Sequence, residues 1–144
     1  MRFSAAHLLV LAAVGLSSCG SSAVQPNALT SAEALVRALH QQGATVTRAG
    51  SLPQSSYPLS VSAQLLQVNG VDVQVFEYPS ATRADSDAST VSPTGSAIGQ
   101  SQVSWMDTPH FYKRDRVIVL YVGHSADVLR MLEAVLGKPF AAGR

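Results

Sequence analysis

From residue 29 onward the spacing of apolar positions changes several times, and each change predicts a boundary. Leu35, Val36 and Leu39 share one helical face, Thr30-x-x-Glu33 has capping-box spacing, Leu29 can act as the staple residue and Gly43 follows. These signals predict a helix over about 31–42. Residues 44–48, ATVTR, read as a short strand, and the Gly, Ser and Pro content of 49–60 reads as a loop. In VSAQLLQVNGVDVQVFEYP, Asn69-Gly70 separates two strand-like runs. That pair favours a type I′ turn because both positions need positive φ. A two-residue turn sets Val68 opposite Val71 and Leu66 opposite Val73 on an aliphatic face, with Gln67 opposite Asp72 on the other.

Pro79-Ser80 ends that strand, and Ser80 can cap a weak helix with a stripe of Ala84, Ala88 and Val91. Residues 92–100 read as a loop. Val103 and Trp105 then alternate with polar neighbours as in a strand, Asp107-Thr108-Pro109 breaks it, and HFYK resumes an extended segment. Arg114-Asp115 predicts a tight turn into residues 117–122, which are aliphatic on both faces and so predict a central strand. Ser125 is placed to cap a last helix whose apolar face is Val128, Leu129, Leu132, Val135 and Leu136, ended by Gly137 and Pro139. The order predicts an α+β domain over 29–144, with a mostly antiparallel sheet and helices packed on one face.

The start of the chain has a different pattern. Arg2 precedes an uncharged apolar run, AAHLLVLAAVGL, that has the form of a secretory signal and falls short of the roughly 20 residues a membrane span needs. Leu16-Ser17-Ser18-Cys19 closes the run. This resembles the lipobox of bacterial lipoprotein signals, which implies a signal over 1–18 and a diacylglycerol thioether on Cys19. Residues 19–28 would then be the lipidated cysteine and a flexible tether. Cleavage after Ser21-Ser22-Ala23 is the alternative, and would leave an unanchored exported domain.

Removing residues 1–18 from the 144 leaves 126, enough for one domain with a core. Loss of Arg2 leaves nine Lys and Arg against nine Asp and Glu, so no basic surplus draws nucleic acid. Cys19 is the only cysteine. Its modification removes disulfides, thiol nucleophiles and thiolate metal sites together.

Among chemistry-bearing residues, DSDAS at 85–89 has the spacing of the first ligands of a calcium loop. Thr90 stands where that loop needs glycine and Ser96 where it needs a bidentate Glu, so the segment reads as a solvated helix face. His110 and His124, with Asp127 near the second, would suit a metal site or, with a serine, a hydrolytic triad. GQSQV at 99–103 lacks the closing glycine of a nucleophile elbow, and no HExxH is present. No metal and no cofactor are expected. Trp105, Phe111, Tyr112 and Tyr121 concentrate aromatic surface on neighbouring segments, either as sheet packing or, with Trp105, His110, Phe111 and Tyr112 exposed together, as a binding patch.

SWMDTPHFYKRDRVIVLYVGHSADVLRMLEAVLG, with QVNGVDVQVFEYPS before it, resembles a group of small uncharacterised bacterial envelope proteins, many with lipoprotein signals. The resemblance implies export and an intact domain, and brings no catalytic residues with it. The expectation is a module on the exported side of a bacterial membrane, held by a lipid on Cys19. It would act without catalysis on a small ligand or an envelope protein. A small hydrolase or metal-dependent enzyme using His110 or His124 is the alternative.

Overall fold

The computed structural model describes residues 28–144; the expected signal and Cys19 lie outside the described residues. The elements are α1 (Ala32–Gln41), β1 (Val46–Leu52), β2 (Ala63–Val68), β3 (Val71–Glu77), α2 (Ala81–Ala88), β4 (Ala97–Ile98), β5 (Ser101–Gln102), β6 (Pro109–Arg114), β7 (Val117–Val122), α3 (Ala126–Leu136) and β8 (Ala141–Ala142). A six-stranded sheet has the order β1-β2-β3-β7-β6-β8, with every neighbouring pair antiparallel. The fold is α+β with an antiparallel sheet, as the sequence predicts. No described helix is long and apolar enough to cross a membrane.

Strand alternation divides the core. Val73, Val75, Val117, Val119, Tyr112 and Tyr121 point to one face, where Leu35 and Leu39 of α1 and Val128 and Leu132 of α3 cover them. Phe76, Phe111, Ile118 and Leu120 point to the other, under Ala84 of α2, Val91 and Ile98. β7 is buried on both faces, which explains its unbroken run of apolar and aromatic residues. The helices therefore do not all share one face: α1 and α3 do, while α2 lies opposite. Its Ala84 is small enough to sit against Ile118 and Leu120.

The β2–β3 hairpin has the predicted register, Val68↔Val71, Gln67↔Asp72 and Leu66↔Val73. Asn69 and Gly70 take φ of 52° and 80°. A Cβ on Gly70 would meet nothing within 4 Å, so substitution there costs backbone strain alone. Gly70→Val is expected to lower stability by more than about 1 kcal/mol. An unchanged denaturation midpoint would show that the turn tolerates a β-branched residue.

Several local expectations are corrected. The helix cap is Ser31, whose hydroxyl accepts from Ala34 N at 3.1 Å. Thr30 is exposed, and Glu33, expected to complete a capping box with it, pairs with Arg48. Glu77 fills the gap from β3 by accepting from Ala32 N at 2.9 Å. β1 runs through the expected loop to Leu52, because the register shift between Arg48 and Gly50, with Gly50 at φ 135°, lets pairing resume at Leu65. Residues 103–105 form no strand; the pairing nearby is β4 with β5, a small separate ribbon. Pro109 opens β6 instead of breaking a strand, since a first strand position tolerates the missing N–H. Ser125 makes no side-chain cap; the Tyr121 hydroxyl accepts its N–H at 2.9 Å.

The N-terminal lead-in is fixed at the far end of β6. Asp115, at φ 49° in the β6–β7 turn, accepts from Leu29 N at 2.8 Å, and Arg116 N donates to Leu29 O at 3.3 Å.

Candidate functional site

The opposite end of β6, at Pro109, carries an open groove of about 660 Å³ lined by Thr94, Ser96, Trp105, Asp107, Thr108, Pro109, Gly143 and Arg144. Its walls are two loops tied to the sheet. In the first, Ser92 O accepts from Gly95 N at 2.8 Å, Ser92 Oγ accepts from Ala97 N at 3.0 Å, and the Thr94 and Ser96 hydroxyls lie 2.8 Å apart. Gly95 has φ 69°, and a Cβ there would stand 3.0 Å from the Phe111 ring, so the loop closes this tightly only with glycine.

The carbonyl of Gly95 accepts the Trp105 indole N–H at 2.6 Å. Trp105 also stacks on Tyr57, with centroids 6.1 Å apart and planes at 22°, and meets Phe111 edge-on at 5.8 Å. The indole is thus held on several sides while lining the groove. Next to it Met106 is fully exposed, and Phe140, 6.1 Å from Phe111, is partly so.

The second loop carries Asp107. Its carboxylate accepts from Thr108 N at 2.6 Å and pairs with His124 Nδ1 at 2.9 Å. The Thr108 amide, with His124 adding to it, holds this carboxyl below its ordinary value of 3.8. The His124 side chain is 87 % exposed and that of Asp107 39 % exposed, so the pair sits in water.

The sequence-predicted patch separates. Phe111 and Tyr112 are fully buried, and as neighbours on one strand they enter opposite cores. Burial first, then the Glu133 and Tyr121 charges, raise the Tyr112 hydroxyl to about 12, and its oxygen has no hydrogen-bond partner. His110 shares the Tyr112 face. Its ring stacks on Tyr121 at 6.0 Å and its Nε2 lies 3.0 Å from Gly123 O; because a carbonyl only accepts, that nitrogen carries the hydrogen. Trp105 alone of the four lines the groove.

The two histidines have separate partners, and Asp127 pairs with Arg130 at 2.8 Å instead of with His124. Among the described residues no group of three His, Cys, Asp or Glu side chains could hold a metal ion. The 85–89 segment is also not simply solvated. Asp85 pairs with Lys113, and Asp87 turns inward to accept from Tyr78 Oη at 2.9 Å and from Ser60 N and Oγ at 2.7 and 2.8 Å.

Sequence reasoning missed Thr94, Ser96, Asp107 and Thr108 as lining residues, because SPTGS and DTP read only as turn and breaker chemistry. The available signal was that both turns flank the one tryptophan of the chain. No family model, curated protein or solved structure matches the chain.

Proposed function

We propose that the chain is a bacterial lipoprotein. Lipid on Cys19 holds it on the exported side of a membrane, and the domain acts there without catalysis, as a binding module or accessory subunit. The contact surface is the groove at Trp105. The observation that carries this reading is the immobilised indole lining the groove, followed in the chain by the fully exposed Met106. Flexible methionine next to a rigid aromatic is a common makeup of contact surfaces. The Leu16-Ser17-Ser18-Cys19 lipobox at the end of the apolar run supports the same address. So does polarity: β6 separates the groove from the Leu29 lead-in by about 17 Å, at about 3.4 Å per residue. A tether reaching the domain at Leu29 leaves the groove at the distal end.

Anchoring is tested by mass spectrometry of the mature N-terminus. Wild-type protein is expected to begin at a lipid-modified Cys19 and to partition with membranes. A single acyl chain holds a protein only marginally, while two or more anchor it at about 0.8 kcal/mol per buried CH₂. Cys19→Ala has no thiol to accept diacylglycerol and should lose both the modification and cleavage at the lipobox. An unmodified terminus at Val24 in wild type would overturn the anchor. Binding is tested in cells with a photo-crosslinking residue at Met106. A discrete adduct that disappears on Trp105→Ala supports the groove, and equal labelling from exposed Arg83 refutes it.

The enzymatic reading has one observation in its favour, the His124–Asp107 pair beside the groove, with Nδ1 engaged as in a Ser-His-Asp triad. Among the described residues no hydroxyl is hydrogen-bonded to His124 Nε2, and the imidazole is largely exposed. Ester hydrolysis by the purified protein that is lost in His124→Ala would replace the binding reading with this one.

A further inference from the structure

We infer that the groove at Trp105 binds a neutral β-1,4-linked glycan chain at the end of the domain turned away from the tether. This deepens the binding-module reading and rests on it. Recognition of a sugar polymer needs a flat apolar platform for the C–H face of a ring and short polar groups around it for the hydroxyls. Trp105 is the one aromatic side chain lining the groove and supplies the apolar surface there, with one ring face already stacked on Tyr57. Its hydrogen bond to Gly95 and its stack on Tyr57 fix the ring before any ligand arrives, so little side-chain freedom is lost on binding.

The surrounding groups match hydroxyl chemistry. The Thr94, Ser96 and Thr108 hydroxyls both donate and accept, the Asp107 carboxylate only accepts and the Arg144 guanidinium only donates. Asp107 accepts from Thr108 N with one oxygen and from His124 Nδ1 with the other, and the Thr108 side chain also bonds to it; a carboxylate has about four lone-pair sites, which leaves room for a sugar hydroxyl. One acid and one base line the groove, so it has no field to select a polyanion.

A peptide strand is disfavoured by the backbone. β8 is two residues long, and the Ala142 N–H is already taken by Pro93 O at 3.0 Å, so the loop carrying Thr94 and Ser96 sits against the place where a strand would add. The groove is an open trough, which suits a chain running across it more than one enclosed molecule. A β-1,4-linked chain presents its rings as a flat ribbon, the shape an indole face can follow.

Trp105 is the only tryptophan, so tryptophan emission, excited selectively over that of the four tyrosines, reports on this groove. The detergent-solubilised lipoprotein is titrated with cellotetraose and with chitotetraose. At least one should give a saturable change in emission, weakened about tenfold or more in Asp107→Ala, or about 1.4 kcal/mol. Asp107 is on the surface, so this variant is expected to keep its denaturation midpoint. No change with either sugar up to about 10 mM, beyond the millimolar range of weak specific binding, overturns the inference. A titration curve unaltered by Asp107→Ala overturns it as well, by placing the sugar elsewhere. Crosslinking from residue 106 and the N-terminal mass report separately on the binding-module and anchor readings, so failure of the sugar titration does not imply failure of either.

Discussion

Asp87→Ala is expected to lower the stability of the domain by about 3 kcal/mol, which at this size is a fall of about 10 °C in Tm. One oxygen of Asp87 accepts from the Tyr78 hydroxyl, the Ser60 hydroxyl and the Ser60 amide. These bonds join α2 to β3 and to the segment leading into β2. Ser60 is exposed and can turn to water, but Tyr78 is 1 % exposed and cannot. Truncation therefore strands a buried hydroxyl, which costs the desolvation of that group as well as the bond. Burial, followed by the bond to Asp87 and its charge, holds the Tyr78 hydroxyl well above the ordinary tyrosine value, so ionisation offers no escape near neutral pH.

The cycle with Tyr78→Phe separates the two contributions. If the unpaired hydroxyl dominates, adding Tyr78→Phe to Asp87→Ala should restore about 1 kcal/mol or more, because removing both partners costs less than removing one. Additive losses in the two single variants would show that Asp87 acts through its serine contacts alone. Urea denaturation of the four proteins decides it.

Asp87 also shows where sequence reading stops. Its neighbours are Ser86 and Ala88, and nothing within a helical turn marks it as inward-facing. Its partners are 9 and 27 residues away and come near only when the sheet forms. The hairpin at Asn69-Gly70 was legible because turn chemistry and period-2 alternation are local, and local turn geometry fixes the register of everything beyond it. The face of α3 was legible for the same reason. The tail of β1 was not: AGSL has loop composition, and it is a strand only because β2 offers an edge and Gly50 absorbs the bulge. β8 is two alanines that pair because β6 has a free edge, a fact about topology. The groove lies at the meeting of three segments distant in sequence, so Trp105 could be singled out while its polar neighbours could not.

Gly123→Ala should have the largest effect of the substitutions considered, a loss of about 4 kcal/mol combining backbone strain with overpacking. Gly123 holds φ at 150°, and a Cβ would lie 2.5 Å from the Tyr121 hydroxyl oxygen and 2.8 Å from its ring carbon. Tyr121 cannot yield cheaply. It is buried, it stacks on His110, and its hydroxyl accepts the Ser125 N–H at the start of α3. Gly123 itself donates to Thr108 O and accepts from His110 Nε2, so displacing this backbone pulls on the loop that carries Asp107 and on the histidine stacked on Tyr121. Gly137→Ala is the matched comparison, since Gly137 has φ 84° but open space where a Cβ would stand, leaving strain of about 1 kcal/mol as its only cost. Midpoints that fall equally in the two variants would mean that Tyr121 moves aside freely. A much larger fall for Gly123→Ala would identify the β7–α3 corner, which links the end of the sheet bearing the groove to the helix layer, as a rigid joint.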